Sequence, residues 1–339
     1  MVGPSPAVAQ LRSAVRPGLT RSPRPVLVAC SGGADSLALA AAVAFEAPRA
    51  GVPAGAVTVD HGLQEGSAER AEATAELLRK LGLAPVDVLP VDVGTDGGPE
   101  AAARAARLQA LETAAGDARI ALGHTLDDQA ETVLLGLGRG SGPRSIAGMV
   151  EEAVGDGAGG GGIVFWRPLL GVRRATTRRA CADQGLPVWD DPWNADPAYT
   201  RVRLRADVLP LLEEVLGGGV ASALARTAAL LREDLDALDA LAAVAHARLT
   251  ADGDLDARGA AELPAALRRR VLRAWLRDGG VPDVQAVHLH AVDALLVAWR
   301  GQGRIDLPSG AGVVRASGRL VLQPGGSGAK PRHHEEHRP

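Results

Sequence analysis

The sequence predicts an α/β protein: a parallel sheet covered by helices on both faces, followed by a smaller, mostly helical domain with a short β-meander. Three observations predict it. Between residues 25 and 137 short apolar runs alternate with helix-patterned stretches through short connections, the pattern of a parallel sheet. The first run ends in the turn Cys30-Ser31-Gly32-Gly33-Ala34-Asp35-Ser36. After residue 220 the alternation gives way to long Leu- and Ala-rich stretches.

Residues 1–23 form a lead-in, with a short helix expected over Val8–Val15 and a proline-rich approach from Pro17 to Pro25. Pro25–Ala29 is an apolar, β-branched run and predicts a buried strand. The Gly-Gly turn after it opens into the alanine-rich helix Leu37–Phe45. Ala54–Val59 and Val86–Val93 follow as strands, Ser67–Leu81 and Pro99–Ala115 as helices, and strand Ala118–Gly123 leads into helix Leu126–Leu137. Gly155–Gly162 contains a G-x-G-x-x-G pattern but precedes a strand (Ile163–Trp166), so it reads as a flexible loop and not a dinucleotide fingerprint. Val172–Gln184 is a basic helix ending at Gly185, Pro187–Pro197 is turn-rich, and Tyr199–Leu212 is helical.

Val220–Leu249 carries Leu224, Leu231, Leu235 and Leu238 at helical spacings, and Leu263–Asp278 and Val284–Trp299 predict two more helices. Ile305–Leu322 predicts the β-meander, with turns at Pro308-Ser309-Gly310 and Ser317-Gly318. The expected domains are 24–215 and 216–324, with 325–339 a disordered polar tail whose His333, His334 and His337 are solvated.

A length of 339 residues with 46% hydrophobic content fits two domains with full cores. A net charge of −3 gives no global nucleic-acid signature, and 2% aromatics are too few for a base-stacking surface. RNA contact must then come from local arginine clusters. Cys30 and Cys181 form no Cys-x-x-Cys pair, which argues against a disulfide framework or a thiolate metal site. No signal-peptide pattern opens the chain and no apolar run approaches about 20 residues, so a cytoplasmic protein is expected.

The turn at Ser31, Gly32, Gly33, Ala34, Asp35 and Ser36 is an anion site. Small residues let backbone N–H groups approach a phosphate, the helix N-terminus adds partial positive charge, and two hydroxyls supply donors. It is not a Walker loop, because the chain's only lysines, Lys80 and Lys330, lie outside any Gly-Lys-[Ser/Thr] sequence. Asp35 would repel phosphate unless a divalent cation sat between them.

Gly123–Thr132 places Asp127, Asp128 and Glu131 on the first turns of a helix, spaced so that they share a face. Such carboxylates either hold Mg²⁺ or accept an ammonium group, and first-turn acids also complement the helix dipole. His124, at the strand end, is placed to touch phosphate or to position a reacting group. Residues 167–205 carry Arg167, Arg173, Arg174, Arg178, Arg179, Arg201, Arg203 and Arg205 against Asp183, Asp190, Asp191 and Asp196, an excess of four positive charges suited to an RNA backbone.

SGGADS (Ser31–Ser36) after a strand resembles the PP-loop of the ATP pyrophosphatases, which cut ATP between the α- and β-phosphates and adenylate a substrate oxygen. With VDHGLQ (Val59–Gln64), GHTLDDQAETVLLGLGRGSG (Gly123–Gly142), RPLL (Arg167–Leu170) and DPWNADPAYTRVRLR (Asp191–Arg205), in this order, the chain resembles the bacterial tRNA(Ile)-lysidine synthetases. Glu100, Arg104 and Arg107 match the family's Glu-x-x-x-Arg-x-x-Arg pattern. The resemblance is firm over Arg24–Leu212, and Val220–Leu322 looks like the family's first C-terminal domain. A further C-terminal domain of longer members is expected to be missing.

The resemblance implies a PP-loop, adenine-nucleotide α-hydrolase-like fold and a ligase that uses ATP and Mg²⁺. Such a ligase joins free L-lysine to C2 of the wobble cytidine of a minor isoleucine tRNA with a CAU anticodon. It implies that Ser31, Gly32, Gly33, Ala34 and Ser36 cradle the departing phosphates and that Asp35 holds Mg²⁺, with Asp128 as second ligand. Asp128 and Glu131 would position the metal or the lysine amine, and Arg104 and Arg107 would face the α-phosphate or the cytidine. His124 joins them as a candidate catalytic group. Arg107, Arg167, Arg173, Arg174, Arg201 and Arg205 are the candidate tRNA contacts, and a homodimer is left open. The chain departs from the family at Thr125, Trp193 and Val202, where His, Ser and Asn are common. Rival readings are a PP-loop cytidine 2-thiolase, a PP-loop amide-forming ligase, and a non-catalytic tRNA- or nucleotide-binding protein on the same fold.

Overall fold

The computed structural model describes residues 3–62, 64, 66–92, 94, 99–155, 162–192, 196–323 and 325, with backbone alone at 99–101 and 104. The interior of the Gly155–Gly162 loop, Trp193 and the polar tail lie outside the described residues. The chain divides into two compact units, Met1–Leu230 and Leu231–Pro339, the division falling within helix α10 (Val220–Leu249).

In the first unit, helix α1 (Pro6–Arg21) precedes strand β1 (Val26–Ala29), helix α2 (Ala34–Glu46), β2 (Ala54–Asp60), α3 (Ser67–Lys80) and β3 (Val86–Pro90). Then come α4 (Pro99–Ala115), β4 (Arg119–Ala121), α5 (Leu126–Arg139), the short α6 (Pro143–Ile146), β5 (Glu152–Gly155), β6 (Ile163–Trp166) and α7 (Arg174–Asp183). The strands form one sheet in the order β3-β2-β1-β4-β6-β5, parallel throughout except for β5. β1 is apolar on both faces because both are covered. Val26 and Val28 join a core with Leu11, Leu37 and Leu39, while Leu27 joins Val57, Leu111, Ile120 and Phe165.

Two elements differ from the expectation. Helix α1 runs through Pro17 to Arg21 instead of stopping near Val15. Pro17 costs about 3 kcal/mol in a helix interior, but Val8, Leu11, Val15 and Leu19 are all buried along one face, and each contributes about 1.5–3 kcal/mol. The fully buried Arg119 then donates to the Gly18 and Ser22 carbonyls (2.8 and 3.3 Å), satisfying the helix end. Strand β5, unexpected from its sequence, is an edge strand antiparallel to β6.

The strand order positions the site. β1, β2 and β3 step one way across the sheet, and β4 returns to the other side of β1. The order therefore reverses between β1 and β4, where ligands bind in such sheets. Their carboxyl ends carry Cys30–Ser36 and Gly123–Thr125. Gly123 lets these two loops touch, since a Cβ there would lie 3.0 Å from the Asp35 carbonyl and the Ser36 nitrogen.

Beyond α7 the unit continues through α8 (Thr200–Arg203), a π-helical turn at Leu204–Val208 and α9 (Leu209–Val215) into α10. The second unit packs α11 (Ala257–Ala261), α12 (Ala265–Asp278), α13 (Ala286–Val297) and the end of α10 against a five-stranded antiparallel sheet. Its order is β7-β8-β11-β10-β9, made of β7 (Thr250–Ala251), β8 (Asp254–Asp256), β9 (Ile305–Asp306), β10 (Gly312–Ala316) and β11 (Arg319–Gln323). The β7–β8 hairpin adds to the expected meander and turns through Asp252 and Gly253, both at positive φ. Trp275 anchors this core and donates its indole N–H to the Gly253 carbonyl (2.7 Å). No single described helix is long and apolar enough to cross a membrane.

Helix α5 is held by a glycine contact. A methyl group at Gly136 would fall 2.1 Å from the Ser145 carbonyl oxygen in α6. Gly136→Ala is therefore expected to destabilise the first unit by about 1–3 kcal/mol through overpacking, read as a lowered urea midpoint at unchanged m-value.

Candidate active site

A cleft of about 970 Å³ opens at the strand-order reversal, lined by Cys30–Ser36, the end of β2, His124, Asp128, Arg174 and Arg205 among others. Its floor is the glycine turn. Gly32 sits at φ +81°, a conformation glycine adopts without Cβ strain, and an added Cβ would lie 2.9 Å from the Thr74 hydroxyl. Ser36 braces the turn: its hydroxyl donates to the Gly33 carbonyl (3.0 Å) and accepts from the Ser31 N–H (3.2 Å). The first N–H groups of α2 lack intrahelical acceptors at this turn, an arrangement suited to an anion.

Beside the turn, one guanidinium gathers three carboxylates. Arg174 places Nε 3.1 Å from Asp35, one terminal nitrogen 2.6 Å from Asp128, and the other 3.2 Å from Glu131. Its backbone N–H donates to Asp127 (2.8 Å). The second oxygen of Asp35 accepts from the Thr177 hydroxyl, one turn along the same helix. Arg205, carried on the π-helical turn, pairs with Glu131 at 2.9 Å. Glu131 is fully buried and lies behind the two guanidiniums, whereas Asp35, Asp128, Arg174 and Arg205 line the cleft.

The electrostatics follow from this sharing. Burial pushes the Asp35 carboxyl above its ordinary range and Asp128 adds repulsion, against the Thr177 hydrogen bond and Arg174. Burial also works to raise Asp128, but Arg174, the Thr125 hydrogen bonds and His124 outweigh it and hold that carboxyl below its usual value. Burial opposes the charge on Arg174, yet Asp128, Glu131 and Asp35 together raise its pKa further. The asymmetry is physical: one positive charge is divided among three acids, and Asp35 receives too little to offset its burial.

Thr125 has a definite place. It is the N-cap of α5, accepting from the Asp128 N–H (3.4 Å), while its own N–H and hydroxyl both donate to Asp128 Oδ2 (2.7 Å each). This capping box fixes Asp128 with its other oxygen toward Arg174.

The remaining candidates are dispersed. Arg107 lines the cleft, and the Arg104 side chain lies outside the described residues. Arg173 is half-exposed and pairs with Asp127 at 3.0 Å. Arg167 donates to the Val150 carbonyl (3.2 Å), and Arg201 lies half-buried on α8. Arg174 and Arg205, read from sequence as RNA contacts, turn their guanidiniums into the acid cluster.

Sequence reasoning missed several lining residues. Trp189 donates its N–H to the Gly32 carbonyl (3.0 Å), and Arg70 lies 4.8 Å over its ring. Burial and Arg107 lower the His61 pKa against the pull of Asp60 and Asp191. Trp189 and Arg70 carried no sequence signal, whereas His61 lies in VDHGLQ at the end of a strand and Thr177 stands at i,i+3 spacing from Arg174.

Residues 5–212 match the family model of the PP-loop domain, and residues 255–321 match the TilS substrate binding domain. The fold and the cleft are thus those of a PP-loop protein with an appended substrate-binding module. The chain is 53% identical to the tRNA(Ile)-lysidine synthase of Streptomyces coelicolor, over 96% of this chain and 100% of that protein. It is equally 53% identical to the Salinispora tropica protein of the same name, over 96% and 99%. The chain belongs to the tRNA(Ile)-lysidine synthase family. Among solved structures, a U34-tRNA thiolase from Methanococcus maripaludis shares the fold, with a TM-score of 0.53 at 18% identity over 67% of this chain and 80% of that one.

Removing the cap tests the local geometry. Thr125→Ala is expected to cost about 0.5–2 kcal/mol of stability in chemical denaturation, and Thr125→Ser to recover most of it.

Proposed function

We propose that this chain ligates free lysine to C2 of the wobble cytidine in a minor isoleucine tRNA bearing a CAU anticodon. The reading rests on family membership and on one observation: a phosphate-binding turn and an acid cluster share a single cleft. In the first step the cytidine C2 oxygen attacks the α-phosphorus of ATP and the bond to the β-phosphate oxygen breaks, releasing pyrophosphate. In the second the lysine ε-amine attacks C2, the C2–oxygen bond breaks with loss of AMP, and the amine gives up a proton.

The turn's N–H groups stabilise charge growing on the leaving pyrophosphate, at the helix N-terminus where such charge is favoured. Arg107, which lines the same cleft, is assigned to the nucleotide, and Asp128 to the lysine ammonium. Asp35 and Asp128 already hold a cation, the Arg174 guanidinium, between them. Among the described residues no group of three or more metal-binding side chains occurs. Mg²⁺ usually needs only one or two carboxylates plus phosphate oxygens, so Asp35 beside the phosphates fits it, which leaves Asp128 to the lysine ammonium. Bound there, Mg²⁺ would offset negative charge on the phosphates.

Arg173 and Arg201 are assigned to the RNA backbone, the 255–321 module to the body of the tRNA, and the cytoplasm is the place of work. The cytidine 2-thiolase, the amide-forming ligase and the non-catalytic reading are set aside by family membership.

The decisive assay combines the protein with ATP, Mg²⁺, labelled lysine and the minor isoleucine tRNA, with an elongator methionine tRNA as control. Label is expected in the first tRNA only. Asp35→Ala is expected to lower tRNA-dependent ATP–pyrophosphate exchange by about 10²–10³-fold, the size of loss seen when one preorganised electrostatic contact is removed. Lysine-free tRNA with continued AMP release would reject the nucleophile.

A further inference from the structure

We propose that Arg174 is a positioning residue that makes lysine binding conditional on ATP: its guanidinium fills the acid cluster until a nucleotide draws it away. The inference rests on the lysine-ligating reading above and adds a gate to it.

Three observations carry it. The guanidinium spends its nitrogens on Asp35, Asp128 and Glu131, the last two on α5 and the first on α2 beside the phosphate-binding turn. Arg174 nevertheless lines the same cleft as Ser31–Ser36, within reach of whatever anion the turn receives. Each acid keeps a second partner: Thr177 for Asp35, Thr125 for Asp128, Arg205 for Glu131. The acids therefore stay in place when Arg174 leaves, and what they lose is one positive charge.

A triphosphate offers a guanidinium several oxygens in the planar, two-pronged geometry it binds best. Drawn to it, Arg174 leaves Asp128 facing the cleft without its cation, and an ammonium group restores the balance. Arg173 stays on Asp127 and Arg178 on Asp190, while Arg205 stays on Glu131 at 2.9 Å and stands 3.9 Å from Asp128 Oδ1, too far to replace the 2.6 Å contact that Arg174 gives up. Without nucleotide the lysine ammonium competes against a cation already tethered at three points. The nucleophile is thus admitted only when the group it will displace is being made.

The test is equilibrium dialysis of labelled lysine against the full chain, with and without the non-cleavable analogue α,β-methylene ATP plus Mg²⁺. For the wild type the analogue is expected to tighten lysine binding by about 5–150-fold, the usual range of coupling between two sites. Arg174→Met is expected to bind lysine equally in both states, near the nucleotide-bound wild-type affinity.

Arg174→Lys keeps a cation but not the three-way fork, and is expected to lose most of the coupling. Should the methionine variant fail to fold, this variant decides, and full coupling in it overturns the proposal. Wild-type affinity indifferent to nucleotide also overturns the gate, while leaving the lysine-ligating reading intact. Weakened tRNA binding with unchanged lysine coupling in Arg174→Met overturns it in favour of a phosphate contact. Lysine bound by wild type in neither state, with the analogue bound, overturns the lysine reading itself.

Discussion

The Arg174 guanidinium divides one charge among Asp35, Asp128 and Glu131, and the architecture of the first unit serves to bring those groups together. Asp35 comes from the helix after β1, and the other two from the helix after β4. These strands are sequence-distant but adjacent and parallel, so both helices begin at the same end of the sheet. Gly123 allows their loops to touch. Breaking a buried ion pair by removing one partner costs about 3–5 kcal/mol, and this cluster has several such pairs with cross-support. The result is a group of acids held rigidly by contacts that do not all depend on one another.

Burial sorts those acids into different tasks. Glu131 is fully buried and forms its ion pairs with the Arg174 and Arg205 guanidiniums. It acts on the cleft by orienting Arg174 and Arg205. Asp128 stands in front of it, one oxygen tied into the capping box of α5 and the other turned toward Arg174. Arg205 owes its reach to the π-helical turn at Leu204–Val208, a local distortion found most often at functional sites. The extra residue in that turn shifts the register of a helix that the sequence presents as continuous.

Much of this was legible before any coordinates. Apolar runs of strand length, glycine turns and first-turn acids are local signals, and they locate the sheet, the glycine turn after β1 and the acid helix. What escaped was set by tertiary contacts. Helix α1 passes through Pro17 because its buried face and Arg119 hold it, and neither is visible in the local sequence. Edge strand β5 alternates in exposure, but its apolar Val154 is on the exposed side, so the sequence carries no matching polar–apolar pattern. Arg174 and Arg205 look like members of a basic surface, since charge counting cannot tell which arginines turn inward. Thr125 looked like a departure of unknown weight, and its cap geometry became plain only with the helix start fixed.

Under the proposed function the cleft receives an ammonium group, and the choice of arginine at position 174 then matters. A lysine there would present the same chemical group as the substrate, strongly hydrated and able to touch one or two carboxylates at a time. A guanidinium is more weakly hydrated and planar, and its separate nitrogens reach three acids on two helices at once. It binds carboxylate and phosphate alike through paired N–H donors, so the oxygens of a phosphate can compete with the acids for it. In the proposed gate the same side chain closes the acid cluster when the cleft is empty and serves the nucleotide when it is filled. In that proposal neither Asp128 nor the turn at Ser31–Ser36 could link the two states alone, because neither can exchange a carboxylate partner for a phosphate.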